Sequence, residues 1–461
     1  MFLATPSRAV APVPQLARAW QRPKLGQHRL AASCAAVLAS SRLRRVTMFW
    51  QRPMPDKDLP EPLRASDGLS ADAAPEDVFT HDTITNRMPK ILDSVLAKLP
   101  AEFQTAPVVE GVRRLQEEMR SDAQLKFLMS GSARVGSKSW NPHLSEFIEK
   151  GEGWHTAPWW LVENYMYKRL LEELENCAEA TSYDPFEPVK FQALEQAEES
   201  LQASLAPLMD VVAEAKSSEK VKDALDATIL RSLWGNQADL SLSAGEVAAV
   251  KGGAVDSLVS DHRGVAVELL SSATDVIVVL DNHGLEVLCD LVLVDSILRL
   301  TTASVTLHVK DAPVFVSDVT QKDVPEVLQW LEPRLPVLAE RLKQSQADGR
   351  LRVKAHDFYT GGRAFWELPQ DLQEDYAEAV VILKGDANYR RLLGDLHWPY
   401  DTDFVDFARS FWKGKGLICL RTMKSGVALG ISEGEQNRAK SAHPDDWLTS
   451  GTYGQVLAFQ R

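Results

Sequence analysis

Oxygen-bearing side chains directly follow two short apolar runs in the second half of the chain. The run VIVVL leads into Asp281 and Asn282, and the run Pro313–Val316 leads into Asp318. In an open α/β sheet, ligands bind at the carboxyl ends of the strands, and carboxylate and amide oxygens suit Mg²⁺ or Mn²⁺. These three residues together predict a metal site with open positions for water and a phosphate oxygen. Taken alone, each Asp is also typical of a helix cap.

Two further apolar runs lead into basic residues. VVIL is followed by KGDANYRR (Lys384–Arg391), and LICL is followed by RTMK (Arg421–Lys424). A glycine-containing turn from a strand into a helix offers backbone N–H groups and a helix dipole to an anion, and Lys384 and Arg390 add positive charge. Taken singly, Arg421 or Lys424 is more often a solvated surface charge. Basic groups at two strand ends, facing acids at two others, suit a metal and a phosphate in one crevice.

The elements that must position these residues alternate along the chain after about residue 255. Short β-branched runs, separated by helix-length segments, occur at Val276–Leu280, Val305–Val309, Val380–Leu383 and Leu417–Leu420. This alternation is typical of a parallel sheet with covering helices. The intervening segments carry two helical stripes, namely Leu335, Leu338, Ala339, Leu342 and Tyr389, Leu392, Leu393, Leu396. We therefore predict an α/β fold with a C-terminal, doubly wound, mostly parallel, Rossmann-like sheet over residues 241–461.

Residues 81–240 have helical periodicity and predict an N-terminal all-helical domain. Ile91, Val95 and Leu99 keep to one face, as do Tyr167, Leu170, Leu171 and Leu174. Good helix formers fill Phe191–Ala206 up to Pro207, and Val221–Leu233 continues in the same manner. Residues 48–80, rich in Pro, Asp and Ser, predict an extended arm. The cluster of Trp154, Trp159 and Trp160, followed by Glu163, indicates interdomain core or an aromatic wall for a substrate.

The charge and composition exclude several classes of function. A formal charge of −13 opposes general binding to nucleic acid or anionic membranes. No apolar run approaches the roughly 20 residues of a membrane helix. The four cysteines are far apart and suggest neither a disulfide framework nor a zinc site. We expect small-molecule partners, no nucleic acid and no membrane, while the oligomeric state is left open.

The first 47 residues form a basic leader. They contain eight Lys or Arg and no Asp or Glu. This composition is typical of a transit peptide for an organelle, either a mitochondrion or a plastid. The alternative is translation from Met48, with a cytoplasmic protein. Both interpretations stay open, and the predicted fold begins after residue 47.

Other catalytic motifs are absent from the sequence. Gly131–Ser139 resembles a P-loop, but Lys138 is one place late and no strand precedes it. The ten histidines include no H-E-x-x-H pair, and the chain has no G-x-S-x-G elbow. A G-x-G-x-x-G turn is missing after the first run of the α/β half, where only Gly284 stands.

Five segments in a fixed order resemble one known family. They are WGNQADLSLS (Trp234–Ser243), LDNHGLE (Leu280–Glu286), FVSDVT (Phe315–Thr320), KGDANYRRLLGD (Lys384–Asp395) and RTMKSG (Arg421–Gly426). The set resembles the damage-control phosphatases of the domain-of-unknown-function 89 family. The RTMK form and the segment APWWLVENYMYKRLLE (Ala157–Glu172) are similar to its third subfamily, the acidic-residue methyltransferase 1-like proteins.

The resemblance implies a metal-dependent phosphatase in metabolite damage control. Its implied substrates are small sugar phosphates, with fructose 1-phosphate and fructose 6-phosphate foremost, and its implied ions are Mn²⁺, Co²⁺ or Ni²⁺, with Mg²⁺ also considered. By residue-wise carry-over, Asp281, Asn282 and Asp318 match the metal ligands. The substrate-binding positions match Asp386, Ala387, Asn388, Tyr389, Arg390 and Lys424. Glu286, together with Asp318, matches positions assigned to S-adenosylmethionine.

We expect a metal to offset charge on the phosphate while an in-line water attacks. In this scheme Lys384, Arg390 and Lys424 clamp the phosphate, and Asp386 and Asn388 bind sugar hydroxyls or orient the water. A covalent phosphate on Asp281 is the mechanistic rival. It ranks lower because His283 replaces the second Asp of the D-x-D motif. The functional alternative is methyl transfer from S-adenosylmethionine to protein carboxylates.

Overall fold

The α/β part is built on one mixed sheet, and the structure is a computed structural model that describes residues 59–236 and 255–461. Within these ranges seven strands form the sheet: β1 (Leu258–Asp261), β2 (Asp275–Val279), β3 (Ser304–Lys310), β4 (Leu351–His356), β5 (Val380–Lys384), β6 (Gly416–Thr422) and β7 (Gly454–Gln460). The leader at 1–47, the first part of the arm at 48–58 and the predicted boundary at residue 240 lie outside the described residues.

The strand order is β1-β7-β6-β5-β2-β3-β4. Strands β2 to β6 pair with one another in parallel, whereas β7 is antiparallel to β6 and β1 is parallel to β7. The four predicted runs correspond to β2, β3, β5 and β6. The mostly parallel sheet of the predicted fold class is thereby confirmed.

Helices cover both faces of the sheet, as a doubly wound fold requires. Alternate residues of β2 and β5 belong to different cores: Ile277, Val279, Val381 and Leu383 face one side, and Val276, Val278, Val380 and Ile382 face the other. The N-terminal part contributes to both cores: buried residues from Leu63 to Phe186 belong to the first, and those from Leu194 to Trp234 belong to the second. This double burial explains why the central strands are near-continuous apolar runs rather than alternating ones.

The helices of the N-terminal part are α1 (Pro75–Asp82), α2 (Met88–Lys98), α3 (Ala106–Arg120), α4 (Ser137–Glu149), α5 (Trp159–Leu174), α6 (Glu187–Gln196), α7 (Ala206–Glu214) and α8 (Ser218–Leu233). Those of the sheet part are α9 (Arg263–Ser272), α10 (Leu285–Leu300), α11 (Asp323–Leu331), α12 (Pro336–Ala347), α13 (Gln370–Ala377), α14 (Gly385–Leu393), α15 (Phe404–Phe411) and α16 (Glu433–Ala442). No helix of the described ranges has the length and apolarity that crossing a membrane requires.

The predicted helical stripes are buried. The residues Tyr167, Leu170, Leu171 and Leu174 are core, as are Leu335, Leu338, Ala339 and Leu342. Helix α10 is buried on almost every side, which fits its nearly continuous apolar sequence. Helix α1 begins at Pro75, inside the segment predicted as an extended arm.

Two helical runs contain a widened π turn, and each turn comes just before a proline. The turn Thr83–Arg87 joins α1 to α2 ahead of Pro89, and the turn Leu201–Leu205 leads into α7 ahead of Pro207. Proline has no N–H, and its ring crowds the carbonyl four residues earlier. Widening the preceding turn relieves that crowding while the helix continues. The helix therefore continues through Pro207, whereas the sequence predicts helix formers only up to that residue.

One predicted strand is wrong. Residues Pro313–Val316 form a loop after β3, with Phe315 at φ 51° and Val316 at φ 67°. Left-handed backbone is uncommon in residues other than glycine, and β-branched Val is strained there. Strand β3 has already carried the chain to Lys310, so the loop turns back and places Asp318 in an isolated bridge with Asn282.

Candidate active site

A cavity of about 280 Å³ lies between the N-terminal helices and the carboxyl ends of the sheet strands. Its floor, on the sheet side, is lined by Asp281, Asn282, Phe315, Ser317, Asp318, Asp386, Ala387, Arg390 and Lys424. Its opposite side, which we call the helical wall, is lined by Phe79, Thr83, Arg87, Met88, Ile91, Trp159 and Glu163. The volume is near the lower end for ligand pockets, which favours a small molecule.

Asp281 and Asp318 reach the floor of the cavity from β2 and from the loop after β3. The Val319 N–H donates to the Asp281 carbonyl at 2.8 Å, and the His283 N–H donates to the Ser317 carbonyl at 2.7 Å. These bonds fix the two loops against each other, so both carboxylates are held by backbone geometry. Both side chains are almost fully buried.

Lys310, the last residue of β3, lies beside both carboxylates. Its Nζ is 2.9 Å from Asp318 Oδ2 and 3.8 Å from Asp281 Oδ1, and it donates to the Leu280 carbonyl at 2.8 Å. Burial raises the pKa of Asp281 well above its usual range; the Asp318 charge adds to this, whereas Lys310 opposes it. The site thus concentrates negative charge that a single ammonium only partly offsets.

Asn282 is held between the two acids and the first turn of α10. Its Oδ1 accepts a hydrogen bond from Ser317 Oγ at 2.6 Å, and its Nδ2 donates to Asp281 Oδ2 at 3.0 Å and to Glu286 Oε2 at 3.1 Å. The side chain is therefore fixed next to Asp281.

Gly385 allows the turn from β5 into α14 to pass close to Asp281. Its φ is +78°, and a Cβ at this position would overlap the Asp281 carboxylate and lie 2.7 Å from Asp281 Cβ. Only glycine fits both the left-handed backbone and the close approach. The turn brings the N-terminus of α14 to the metal-ligand candidates.

One face of α14 is turned toward the cavity. Asp386, Ala387 and Arg390 line it. The Oδ1 atom of Asp386 accepts bonds from Arg421 Nε at 2.7 Å, the Lys424 N–H at 3.2 Å and Ser425 Oγ at 3.3 Å. Arg421 is fully buried and so holds Asp386 rather than meeting ligand, whereas the Lys424 side chain lines the cavity.

Arg390 joins the floor to the helical wall. Its Nη1 is 2.7 Å from Glu163 Oε2, it also pairs with Asp395, and its guanidinium lies 3.7 Å from the centre of the Trp159 ring. Burial raises the pKa of Glu163, which the Arg390 charge opposes. Trp159 is therefore an aromatic wall of the cavity, whereas Trp154 is buried core packed on Tyr165.

Four predicted site residues lie outside the cavity lining. Lys384 Nζ donates to the Ser232 carbonyl at 2.7 Å and lies 3.2 Å from Asp290 Oδ1 and 3.8 Å from Glu286 Oε1. Burial alone would lower the pKa of Lys384, but Asp290 and Glu286 raise it. Asp290 and Glu286 therefore engage Lys384, so the structure does not support the expected phosphate contact.

The remaining three are Glu286, Asn388 and Tyr389. The Asn388 amide donates to the carbonyls of Lys384 and Leu280, and the Tyr389 hydroxyl accepts from the Leu429 N–H. Glu286 is buried beneath Asn282. These side chains support the floor from behind, and their expected contacts with sugar, water or S-adenosylmethionine are not supported by this placement.

Sequence comparison assigns the chain to a family. A model of the damage-control phosphatase ARMT1-like domain matches residues 83–439. The chain belongs to the ARMT1-like damage-control phosphatase family. This match confirms the resemblance drawn from the five motifs, and the matched range covers the floor of the cavity and most of its helical wall.

Curated relatives are similar over most of their length. The damage-control phosphatase ARMT1 of Rattus norvegicus is 30% identical over 431 residues, covering 82% of this chain and 95% of that protein. The proteins of the same name from Homo sapiens and Danio rerio are 29% and 27% identical, covering 82% and 83% of this chain and 95% and 94% of those proteins. A solved structure of a DUF89 family protein from Pyrococcus horikoshii aligns with a TM-score of 0.43 at 15% identity, covering 76% of this chain and 92% of that one.

The candidate ligands of this ARMT1-like chain fit a divalent metal ion. Asp281 Oδ1 and Asp318 Oδ2 are buried and share the single ammonium of Lys310 as their ion-pair partner within the described residues. Two buried carboxylates need more positive charge than one ammonium supplies, and two carboxylates beside an amide form a hard-oxygen donor set. A second acidic group, Asp67, Asp77 and His397, lies outside the cavity lining, and within it His397 Nε2 is 3.2 Å from Asp77 Oδ1.

Sequence reasoning did not find several residues of this ARMT1-like site. Lys310 was not predicted, although a lysine between the apolar run TLHV and Asp311 could have marked a further strand end. Most residues of the helical wall were not predicted either, because Thr83 and Arg87 lie about 200 residues before Asp281 in the chain and no local motif marks them. Only tertiary packing brings these residues together.

Proposed function

We propose that this chain is a metal-dependent phosphatase that hydrolyses small sugar phosphates, with fructose 1-phosphate and fructose 6-phosphate as its substrates. The proposal depends on one observation: two buried carboxylates, Asp281 and Asp318, share a single lysine as their ion-pair partner and line the same cavity as two cationic side chains, Arg390 and Lys424. Opposite charges in one small cavity suit a metal and a phosphate together. Membership of a damage-control phosphatase family supports the same reaction class.

Asp281, Asn282 and Asp318 would hold the ion, with Mn²⁺, Co²⁺ or Ni²⁺ favoured and Mg²⁺ also considered. A bound divalent ion would supply Lewis-acid stabilisation of charge on the phosphate. Lys310 reduces the repulsion between the two carboxylates by pairing with both. The donors are oxygens, which exclude an ion that needs thiolate ligands.

Lys424 and Arg390 bind the phosphate group in this proposal. The first turn of α14 adds backbone N–H groups and the positive end of its dipole, at Asp386 and Ala387. Glu163 and Asp395 fix the direction of the Arg390 guanidinium by ion pairing. A clamp that is oriented in advance binds without the cost of ordering a flexible side chain.

Asp386 is the candidate for orienting the attacking water. Three donors hold its Oδ1, so the carboxylate keeps one position while its second oxygen is available as an acceptor. Attack by water is favoured over a phosphate ester on Asp281 because His283 stands in place of a second Asp. The His283 Nδ1 is bonded to the Lys190 carbonyl, and the residue is not part of the cavity lining.

The test is phosphate release by the full chain from a panel of sugar phosphates, with Mn²⁺, Co²⁺, Ni²⁺, Mg²⁺ or EDTA. We expect release that requires an ion and is lost in Asp281→Asn and Asp318→Asn. Asp348→Asn, an exposed acid in the turn after α12, is the matched control and should retain full activity. Folded protein that releases no phosphate with any ion would contradict the proposal. A covalent adduct on Asp281 after incubation with a phosphate mimic would refute direct attack by water but not the phosphatase activity.

Methyl transfer from S-adenosylmethionine is not proposed. The position matched to that ligand, Glu286, is only 3% exposed and is bonded to Asn282. No observation within the described residues favours this reaction over phosphate hydrolysis.

A further inference from the structure

The hydroxyl of Thr83 is a buried polar group without a hydrogen-bond partner among the described residues. Thr83 is 5% exposed, lines the cavity and begins the π turn that joins α1 to α2. Leaving a buried hydroxyl unpaired is costly, so such a group in a native structure requires an explanation. The explanation must distinguish Thr83 from other threonines in the same helix.

Two neighbouring threonines provide that comparison. Thr80 Oγ1 donates to the Glu76 carbonyl at 2.7 Å, and Thr85 Oγ1 donates to the His81 carbonyl at 2.7 Å. Bonding to the carbonyl four residues earlier is the usual solution for a threonine within a helix. Thr83 does not use it, although the Phe79 carbonyl lies four residues earlier. Thr83 thus differs from both neighbours: it lines the cavity, and its hydroxyl has no partner among the described residues.

The groups around Thr83 are those that a hydroxylated, partly apolar molecule would meet. Phe79 and Trp159 stack edge to face on the same wall, with ring centres 5.9 Å apart. The carboxylate of Glu163 lines that wall and is turned toward Arg390 on the floor. Aromatic rings can pack on the C–H face of a sugar, while a hydroxyl can both donate to and accept from its OH groups.

We propose that Thr83 determines specificity by hydrogen bonding to a hydroxyl group of the sugar part of the substrate. The inference rests on the proposed phosphatase function and extends it from the floor of the cavity to the helical wall. The floor binds the phosphate, and the helical wall selects the alcohol that carries it. A π turn is suited to this task because it displaces a side chain from the regular helical register.

The test uses the full chain with fructose 1-phosphate or fructose 6-phosphate, whichever it hydrolyses faster, and follows release of fructose. Thr83→Val removes the hydroxyl and keeps the shape of the side chain. We expect it to lower kcat/KM by about 3- to 10-fold, the effect of one neutral hydrogen bond. Thr83→Ser, which keeps the hydroxyl, should recover at least half of the kcat/KM that is lost in Thr83→Val. Thr85→Val is the matched control and should leave kcat/KM unchanged.

A second readout separates recognition of the sugar from recognition of the phosphate. Inorganic phosphate, added as a competitor, lacks the sugar hydroxyl that Thr83 would bind, so its inhibition constant should be the same in wild type and Thr83→Val. An unchanged kcat/KM in Thr83→Val, in an active wild type, would overturn the inference and leave the phosphatase proposal standing. Equal weakening of inorganic phosphate would also overturn it, because it would indicate a general disturbance of the cavity. A wild type that releases no fructose with any ion would refute both.

Discussion

Replacing Gly385 by Ala tests whether the close approach of two loops is what holds Asp281 in place. The added Cβ would overlap the Asp281 carboxylate, and rotating the carboxylate away would not suffice because Asp281 Cβ is itself only 2.7 Å away. Asp281 or the β5–α14 turn must therefore shift, by on the order of 1 Å. A misplacement of that size at a reacting centre costs about 100-fold in rate.

The backbone conformation adds a separate cost to stability. Alanine at φ +78° pays about 1–2 kcal/mol for the left-handed region. Gly349, at φ +73°, also has a positive φ but open space where a Cβ would be. Gly349→Ala therefore isolates the conformational cost, and the difference between the two variants isolates the collision with Asp281.

The assay is chemical unfolding combined with steady-state phosphate release for both variants. We expect each variant to lose about 1–2 kcal/mol of unfolding free energy from its backbone alone, with a further loss in Gly385→Ala. Only Gly385→Ala should lose about 100-fold in kcat/KM. Equal activity in the two variants would refute the claim that Gly385 positions Asp281.

Two further predictions concern buried charge. Lys384→Met should lower the free energy of unfolding by about 3–5 kcal/mol, because it leaves Asp290 and Glu286 without their cation. Burial raises the pKa of Asp290 to about 7, and loss of the Lys384 charge would raise this pKa further. The stability difference between wild type and Lys384→Met should therefore widen above pH 7. A difference that does not change with pH would contradict this. Burial lowers the pKa of His308 to about 4, so neutral His308 contributes fully to stability above about pH 6.5, and this contribution is lost as pH falls toward 4. Between pH 7 and pH 5, the free energy of unfolding should therefore fall by about 2 kcal/mol more in wild type than in His308→Gln, as measured by denaturant titration. An equal fall in both proteins would refute this prediction.

The sequence predicted the strands whose two faces are both buried. Those strands are near-continuous runs of Val, Ile and Leu, which only a central position in a covered sheet explains. Strand β4 was missed because it is an edge strand with the polar pattern LRVKAH, of which Leu351 alone is fully buried. Strand β1 was missed because it is four residues long. Strand β7, GQVLAFQ, is apolar and buried, but no predicted helix precedes it to mark a β-α repeat.

The sequence predicted the site residues that follow strand ends. It did not predict which residues of helix α14 face the cavity. Asp281, Asn282 and Asp318 meet at one edge, although Asp318 arrives on a loop rather than a strand. On α14 the helical period of 3.6 residues separates neighbours in the motif. Asp386, Ala387 and Arg390 therefore share the cavity face. The motif alone does not indicate which of its residues turn inward, and their chemical roles stay predictions.

Strand β7 lies between β1 and β6, and its pairing joins Leu258 to Gly454. A ribosome makes the chain from its N-terminus, so β1 emerges long before the strand that it must pair with. Loop closure over such a separation is slow, and an unpaired strand edge is open to wrong partners until it is covered. Stalling of synthesis before residue 454 would therefore leave two strand edges exposed, those of β1 and β6. Nascent chains of increasing length should resist protease in the β1 region only after Gly454–Gln460 has left the ribosome.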